Sequence, residues 1–137
     1  DEALKKRILT NSEKKPGIFY ETKEDLQVDE NEERIRMAKD YVKTNINRSV
    51  TRSEVAEYLH LNEEYFSRLF KKYTGYTFKD YEMMERIEIA KYMLEKSRFS
   101  VSIIASKVGY DNFSHFSKVF KKYTDQTPQE YRKNFQK

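Results

Sequence analysis

A ten-residue segment that occurs twice is the feature that most constrains this chain. Residues 65–74 read YFSRLFKKYT and residues 115–124 read HFSKVFKKYT, with seven of the ten positions identical. In the first copy, Phe66, Leu69 and Phe70 recur at steps of three and one, which places them on one face of a helix. The opposite face carries Ser, Arg and Lys side chains. The sequence therefore predicts one amphipathic, basic helix that is used twice.

A second, shorter helix is predicted before each copy. Val55 corresponds to Ile104 at an offset of 49, whereas the copied segments are offset by 50. One residue is therefore inserted in the turn between the two helices, where insertions are tolerated best. Thr51 and Ser100 are the predicted N-caps of the shorter helices. The repeated unit is predicted to be a helix, a short turn and a second helix.

The two units are separated by a segment with helical periodicity. Its predicted helix spans about residues 77–96, and at 1.5 Å per residue it would be roughly 28 Å long. Its apolar stripe is predicted to consist of Tyr81, Met84, Ile87, Ala90 and Leu94. Arg86 in this segment has two open interpretations, a buried ion-pair partner or a contact to phosphate. A further helix is predicted from Asp29, and a last one after the Thr127-Pro128 cap.

Composition supports an all-α class and excludes several functions. The chain has three Gly, two Pro and no Cys, and no segment alternates apolar and polar residues as a strand would. Disulfides and thiol chemistry are thereby excluded, and two distant histidines do not predict a metal site. No nucleophile-and-base set and no phosphate-binding Gly loop is present, so we predict neither an enzyme nor a cofactor. No apolar run is long enough to span a bilayer.

The repeated unit has the layout of a helix-turn-helix, in which the second helix enters the major groove of DNA. The net charge is +4, and the surplus lies within residues 51–137. Lys and Arg on the exposed face could neutralise phosphates and so provide affinity. Two units held about one helical turn of DNA apart would read two consecutive groove segments. The alternative is a helical-repeat scaffold for proteins, although two copies are few for a solenoid.

The sequence resembles the DNA-binding domain of the AraC/XylS family of bacterial transcription regulators. The resemblance rests on VAEYLHLNEEYFSRLFKKYTGYTFKDY, on RIEIAKYML and above all on IASKVGYDNFSHFSKVFKKYTDQTPQEYR. It covers about residues 29–135, and the sequence is most similar to family members that are fused to response-regulator receiver domains. It implies seven helices, arranged as two helix-turn-helix subdomains, at about 51–73 and 100–123, on either side of the central helix.

The resemblance also implies the setting in which the chain acts. The expected partner is double-stranded promoter or operator DNA in the cytoplasm, with RNA polymerase as a candidate second partner. The isolated domain is expected to be a monomer that binds no membrane, and any dimer contacts are expected outside this sequence. Residues 1–28 are interpreted as a linker or as the remnant of an upstream domain.

Positions carried over from the family give the candidate contacts. Base-facing side chains are expected at Glu64, Ser67 and Arg68 in the first unit, and at Phe113, Ser114, His115 and Lys118 in the second. Phosphate contacts are expected at Thr51, Ser53, Lys71, Lys72, Ser100, Ser102, Lys121 and Lys122. Arg68 is the best candidate for a two-point contact to guanine, and Glu64 could accept from a cytosine amino group.

Some of these residues also have plainer interpretations. The lysine pairs could be ordinary solvated charge, His115 an idle surface side chain, and Phe113 a packing residue rather than a contact to a thymine methyl group. Asp125 departs from the family pattern, which has Gly there, as Gly75 is in the first copy. Asp tolerates a left-handed conformation better than most residues, so we expect the helix end to be kept.

Overall fold

The computed structural model describes the backbone of residues 23–136 and the side chains of residues 30–136. The described residues form seven α-helices and no strand, which confirms the predicted all-α class. In chain order the helices are α1 (Lys23–Thr44), α2 (Arg52–Tyr58), α3 (Glu63–Thr74), α4 (Phe78–Lys96), α5 (Val101–Lys107), α6 (Phe113–Thr124) and α7 (Pro128–Phe135). Helices α2 and α3 form the first helix-turn-helix unit, and α5 and α6 form the second.

Helix α1 begins earlier than the sequence predicted. We expected it to start at Asp29, but it starts at Lys23. The apolar stripe that guided the prediction begins only at Ile35, whereas residues 23–34 include four Glu and single Lys, Leu, Gln and Arg residues, all good helix formers. Residues 1–28 are interpreted from the sequence as a linker or the remnant of an upstream domain. Of these, residues 1–22 lie outside the described part of the chain.

Side-chain caps fix where the helices of both units begin. The hydroxyls of Thr51 and Ser100 accept from the backbone N–H groups three residues further on, and Asn62 and Asn112 do the same for α3 and α6. Thr127 and Glu130 complete a reciprocal capping box at α7. Each cap satisfies a backbone donor that the helix itself cannot pair.

The two units each have their own hydrophobic core. In the first core, Phe66 and Phe70 from α3 are fully buried and pack against Phe78, at ring-centroid distances of 5.5 and 5.4 Å. In the second, Phe116 and Phe120 from α6 are fully buried and pack with Ile104, Leu94 and their neighbours. The periodic apolar residues of the duplicated segment are therefore core residues, as the spacing indicates.

Helix α4 belongs to both cores. Its first residue, Phe78, lies in the first core, while Ile87, Ala90 and Leu94 lie in the second. The other two residues of the predicted stripe, Tyr81 and Met84, are only half-buried. One apolar stripe therefore does not describe α4, because the helix buries different faces at its two ends.

Arg86 lies on α4 between the two cores and is 2% exposed. Its Nε is 3.1 Å from Oε1 of Glu82. Its guanidinium also donates to the carbonyl oxygens of Ile46, Arg48 and Val108. A buried charge needs such a full set of partners. Of the two interpretations left open by the sequence, the structure therefore shows the buried ion pair.

Glu82 extends this network. Its Oε2 accepts from the backbone N–H of Val50 at 3.0 Å, just ahead of α2. The Arg86–Glu82 pair therefore binds the segment before the first unit, while Arg86 also binds Val108 in the turn of the second unit. We call this set of contacts the junction clamp, and it holds the two units against the central helix.

Four of the residues that the structure describes take up left-handed backbone conformations, in two equivalent pairs. Gly75 and Asp125 end α3 and α6 with φ of 84° and 64°. Asp125 N–H donates to Lys121 O at 2.8 Å, so the helix end is kept as predicted. His60 and Gly109 occupy the turns inside the two units with φ of 58° and 91°. His60 is therefore a turn residue.

Candidate nucleic-acid interface

The outer faces of α3 and α6 carry the candidate base contacts. The side chains of Glu64 and Arg68 are exposed on α3, and those of Ser114, His115 and Lys118 are exposed on α6. Phe113 is 38% exposed, so it is neither a core residue nor fully solvated. Ser67 is half-buried, unlike the other base-facing candidates. The packing of the apolar faces therefore leaves the basic and polar faces of both helices accessible.

The lysine pairs occupy equivalent places at the ends of the two helices. Lys71, Lys72, Lys121 and Lys122 are all exposed in the last turns of α3 and α6. Lys72 Nζ lies 6.0 Å from the ring centroid of Tyr73, and Lys122 Nζ lies 5.7 Å from that of Tyr123. None of these four lysines forms an ion pair within the described residues. Their charge is therefore free to meet an external anion.

In the first unit an arginine crosses from α2 to α3. Arg52 Nε lies 2.8 Å from Oε1 of Glu63, and Arg52 Nη1 donates to Oγ of Ser67 at 3.0 Å. The carboxylate of Glu63 is thus paired within the protein. The charges of Arg52 and Glu63 therefore balance each other at the start of α3.

A groove of about 710 Å³ lies beside this arginine, between α2, α3 and the start of α4. Its lining includes the candidate contacts Thr51, Ser67, Arg68 and Lys71, together with Arg52 and Lys79. Four cationic side chains from three helices therefore share one concave surface with the carboxylate of Glu82, and one of the four, Arg52, is paired with Glu63. Such a surface favours a polyanion over a basic or neutral partner.

The second unit presents a more apolar surface. The ring of His115 lies 5.4 Å from that of Tyr110 at an interplanar angle of 71°, so an edge-to-face contact holds the imidazole. Burial raises the pKa of Tyr110 to about 12, and the phenol beside His115 is therefore neutral. Ser117 Oγ, the counterpart of Ser67, is buried and has no hydrogen-bond partner in the described chain.

The hydroxyl candidates lie at the beginnings of α2 and α5. Thr51 Oγ1 accepts from Glu54 N–H at 3.1 Å, and Ser100 Oγ accepts from Ile103 N–H at 3.2 Å. Both hydroxyls therefore cap helices and keep their own O–H as a donor. Ser53 and Ser102 are exposed two residues further on.

The carboxylate of Glu54, at the third position of α2, is hydrogen-bonded to groups within the protein. Its carboxylate accepts from Arg48 Nη2 at 2.8 Å, from Tyr41 Oη at 2.8 Å and from Thr51 N–H at 3.1 Å. The Arg48 hydrogen bond is the main reason that the pKa of Glu54 falls to about 2. The carboxylate therefore stays charged and keeps the start of α2 in place.

Two residues of this surface escaped sequence analysis. Arg52 lies in the capping segment, but nothing local indicates that its side chain reaches Glu63 and Ser67 across the turn. Lys79 follows the cap of α4, and only the fold brings it beside Arg68 and Lys71. Comparison of the two units gives the one sequence signal for the bridge. Arg52 and Glu63 of the first unit correspond to Val101 and Phe113 of the second, so only the first unit has an oppositely charged pair at these positions.

The described residues offer neither a metal site nor a membrane-spanning helix. No group of three or more His, Asp or Glu side chains is placed to hold a metal ion in residues 30–136. Over the same part of the chain, no helix has the length and apolar character required to cross a bilayer.

Known proteins share this sequence pattern. The profile of a family described as a helix-turn-helix domain matches residues 55–134, which include both units. The regulatory protein PocR of Salmonella typhimurium is 30% identical over 98% of this chain and 48% of its own length. The chain spans less than half the length of the curated relatives it matches first.

Solved structures share the fold. The C-terminal domain of AraT, a response regulator from Geobacillus stearothermophilus, superposes with a TM-score of 0.71 and 31% identity, covering 74% of this chain and 84% of that domain. The DNA-binding domain of AdpA, solved in complex with a target DNA, superposes with a TM-score of 0.71 at 19% identity, covering 74% and 92%. At that identity the second likeness concerns the fold alone.

Proposed function

Since the chain belongs to the AraC-type helix-turn-helix family of transcription regulators, we propose that it binds double-stranded DNA at specific sequences and regulates transcription. Helices α3 and α6 each enter the major groove, in two successive segments on one face of the duplex. The single observation that carries this proposal is the duplicated basic surface, held on a common central helix by the junction clamp.

Base reading is assigned to the exposed side chains near the start of each recognition helix. In the first unit, Arg68 supplies two parallel donors that match O6 and N7 of guanine, with Glu64 and Ser67 beside it. In the second unit, Phe113 offers an apolar contact to a thymine methyl group, and Ser114, His115 and Lys118 supply polar contacts. The first half-site is accordingly expected to contain guanine and the second to contain thymine.

Phosphate binding is assigned to the lysine pairs and to the hydroxyls at the starts of α2 and α5. These contacts set the register of the protein on DNA and supply affinity without reading sequence. The residues are Thr51, Ser53, Lys71, Lys72, Ser100, Ser102, Lys121 and Lys122. The exposed, unpaired state of the four lysines in the described chain supports their role.

Spacing is assigned to α4 and the junction clamp. The helix has 19 residues, which corresponds to roughly 28 Å. Accessible stretches of one face of B-form DNA repeat about every 34–36 Å. A stiff helix plus the width of the flanking units suits that repeat, whereas a flexible linker would not keep the two recognition helices in register.

Selection from a random duplex library tests this function directly. We expect a bipartite motif whose halves are centred about one helical turn apart. Arg68→Ala should relax the preference at one base pair of the first half by about tenfold. If selection enriches no sequence and binding does not depend on salt, a helical-repeat scaffold for proteins becomes the better explanation.

The remaining assignments concern the whole protein. We propose that this domain binds DNA as a monomer and that any dimer contacts lie elsewhere in the full protein. RNA polymerase is the candidate second partner on the promoter. Analytical ultracentrifugation of residues 23–137 tests the monomer, with dimers at micromolar concentration as the contrary result.

A further inference from the structure

The most distinctive side chain outside the assigned contacts is Arg52. Its side chain is 54% exposed and spans the turn of the first unit, with Nε at 2.8 Å from Glu63 Oε1 and Nη1 at 3.0 Å from Ser67 Oγ. Both acceptors lie on the outer side of the recognition helix, within its first five residues. Arg52 therefore fixes the side chains next to the base-reading surface without lying on the recognition helix itself.

The second unit provides an internal comparison. The positions of Arg52, Glu63 and Ser67 are taken there by Val101, Phe113 and Ser117. Ser117 Oγ has no hydrogen-bond partner in the described chain. Two copies with nearly the same core therefore differ in whether a polar network orders the recognition surface. The difference lies where a half-site preference would be set.

The geometry restricts what Ser67 can offer to DNA. An arginine side chain has donors only, so Ser67 Oγ accepts from Arg52 with one of its two lone pairs, and its own O–H points away from that bond as a donor. Hydrogen-bond acceptors in the major groove are N7 and O6 of guanine, N7 of adenine and O4 of thymine, whereas the cytosine and adenine amino groups are donors. A Ser67 hydroxyl held by Arg52 presents its O–H and its second lone pair in fixed directions, and so discriminates between these edges, whereas a freely rotating serine does not.

We propose that Arg52 is a positioning residue that orients the Ser67 hydroxyl so that its O–H donates to a base acceptor, and thereby sets one position of the first half-site. The inference rests on the proposed function, since it presupposes that α3 reads DNA. Arg52 need not touch a base to have this effect. The second unit lacks an equivalent residue, so the two halves of the binding site are read by different chemistry.

The experiment compares full base-preference profiles of the wild-type protein with those of Arg52→Val, Arg52→Lys and Lys71→Ala. Arg52→Val installs the residue of the second unit, and Arg52→Lys keeps the charge but cannot bridge Glu63 and Ser67 with a planar fork. Lys71→Ala removes one cation that we assign to phosphate. We expect both Arg52 variants to lose about fivefold preference at one base pair of the first half-site, and Lys71→Ala to weaken all sequences alike.

A double variant shows whether Arg52 acts through Ser67. If it does, Arg52→Val should change the profile of a Ser67→Ala protein very little at that base pair. A uniform loss in the Arg52 variants, an unchanged profile, or independent effects of Arg52→Val and Ser67→Ala would each overturn the inference. Absence of any preference in the wild-type protein would instead refute the proposed function itself.

Discussion

Arg86 on the central helix donates a hydrogen bond from Nη1 to the carbonyl oxygen of Val108, with a donor–acceptor distance of 2.7 Å. The same guanidinium donates to the carbonyls of Ile46 and Arg48, which precede the first unit. One buried side chain thus joins the turn of the second unit to the entrance of the first. Because backbone carbonyls are the partners, the placement of both units depends on the side chain at position 86.

Replacing Arg86 with Met should destabilise the domain by about 3 kcal/mol, because it leaves three carbonyls and the Glu82 carboxylate without their shared donor. Urea denaturation followed by circular dichroism measures the change. Arg98→Met is the matched control, since Arg98 is exposed and surface changes stay within roughly 0.5 kcal/mol. Equal effects of the two substitutions would show that the junction clamp is not a stabilising contact.

Replacing Gly109 with Ala should cost more than replacing Gly75 with Ala. Both residues have positive φ, of 91° and 84°, so each Ala incurs left-handed strain of about 1 kcal/mol. A Cβ at Gly75 meets nothing within 4 Å, whereas one at Gly109 meets the Arg86 guanidinium and lies 2.9 Å from Ile46 O. We expect about 3 kcal/mol for Gly109→Ala in the same urea measurement. Equal losses would mean that the close approach of Arg86 to the turn is unimportant.

Glu54 should make the stability of the domain depend on acid pH. Its folded pKa is about 2, below the ordinary value of 4.5. The stabilisation it provides is therefore complete above pH 4.5 and is lost as the pH falls towards 2. Wild-type and Glu54→Gln proteins should differ most in melting temperature near neutral pH and should converge through that window. Glu57→Gln, an exposed change on the same helix, is the control and should give a melting-temperature difference that does not vary with pH. A pH-independent difference for Glu54→Gln would contradict the stabilising role of the Arg48 pairing.

Lys122→Ala should weaken binding to every duplex by a similar factor. If Lys122 neutralises one phosphate, the slope of log affinity against log salt should become shallower by about 0.9. Fluorescence anisotropy at several salt concentrations measures this slope. Lys43→Ala, an exposed lysine of α1 outside both units, is the control and should leave it unchanged. A change in base preference with an unchanged slope would contradict the assignment of Lys122 to phosphate.

The periodicity of the duplicated segment was enough to predict much of the fold. Spacing alone placed Phe66, Phe70, Phe116 and Phe120 in the core, and the structure confirms that all four are fully buried. The caps at Thr51 and Thr127 were equally readable, because capping depends on residues only three apart. The left-handed Asp125 followed from its alignment with Gly75.

The features that sequence reasoning missed depend on contacts between distant segments. Arg86 reaches carbonyls 22 and 40 residues away, and backbone acceptors leave no signature in the sequence. The bridge from Arg52 to Glu63 and Ser67 spans 11 and 15 residues across a turn. The early start of α1 was missed for a different reason, because its first residues favour a helix through propensity rather than through an apolar stripe. The assignment of individual side chains to bases or phosphates remains a prediction.

Affinity measured against half-site spacing tests the central claim, that α3 and α6 bind consecutive major-groove segments at a separation set by the central helix. The two halves of the selected motif would be placed on duplexes with centre-to-centre distances from 5 to 21 base pairs, and the dissociation constant measured for each. We predict the tightest binding at about 10–10.5 base pairs, and an affinity no better than that of a single half-site when five base pairs are inserted. Binding that is indifferent to spacing would contradict the account, because it would mean that the two units do not bind DNA as one rigid body.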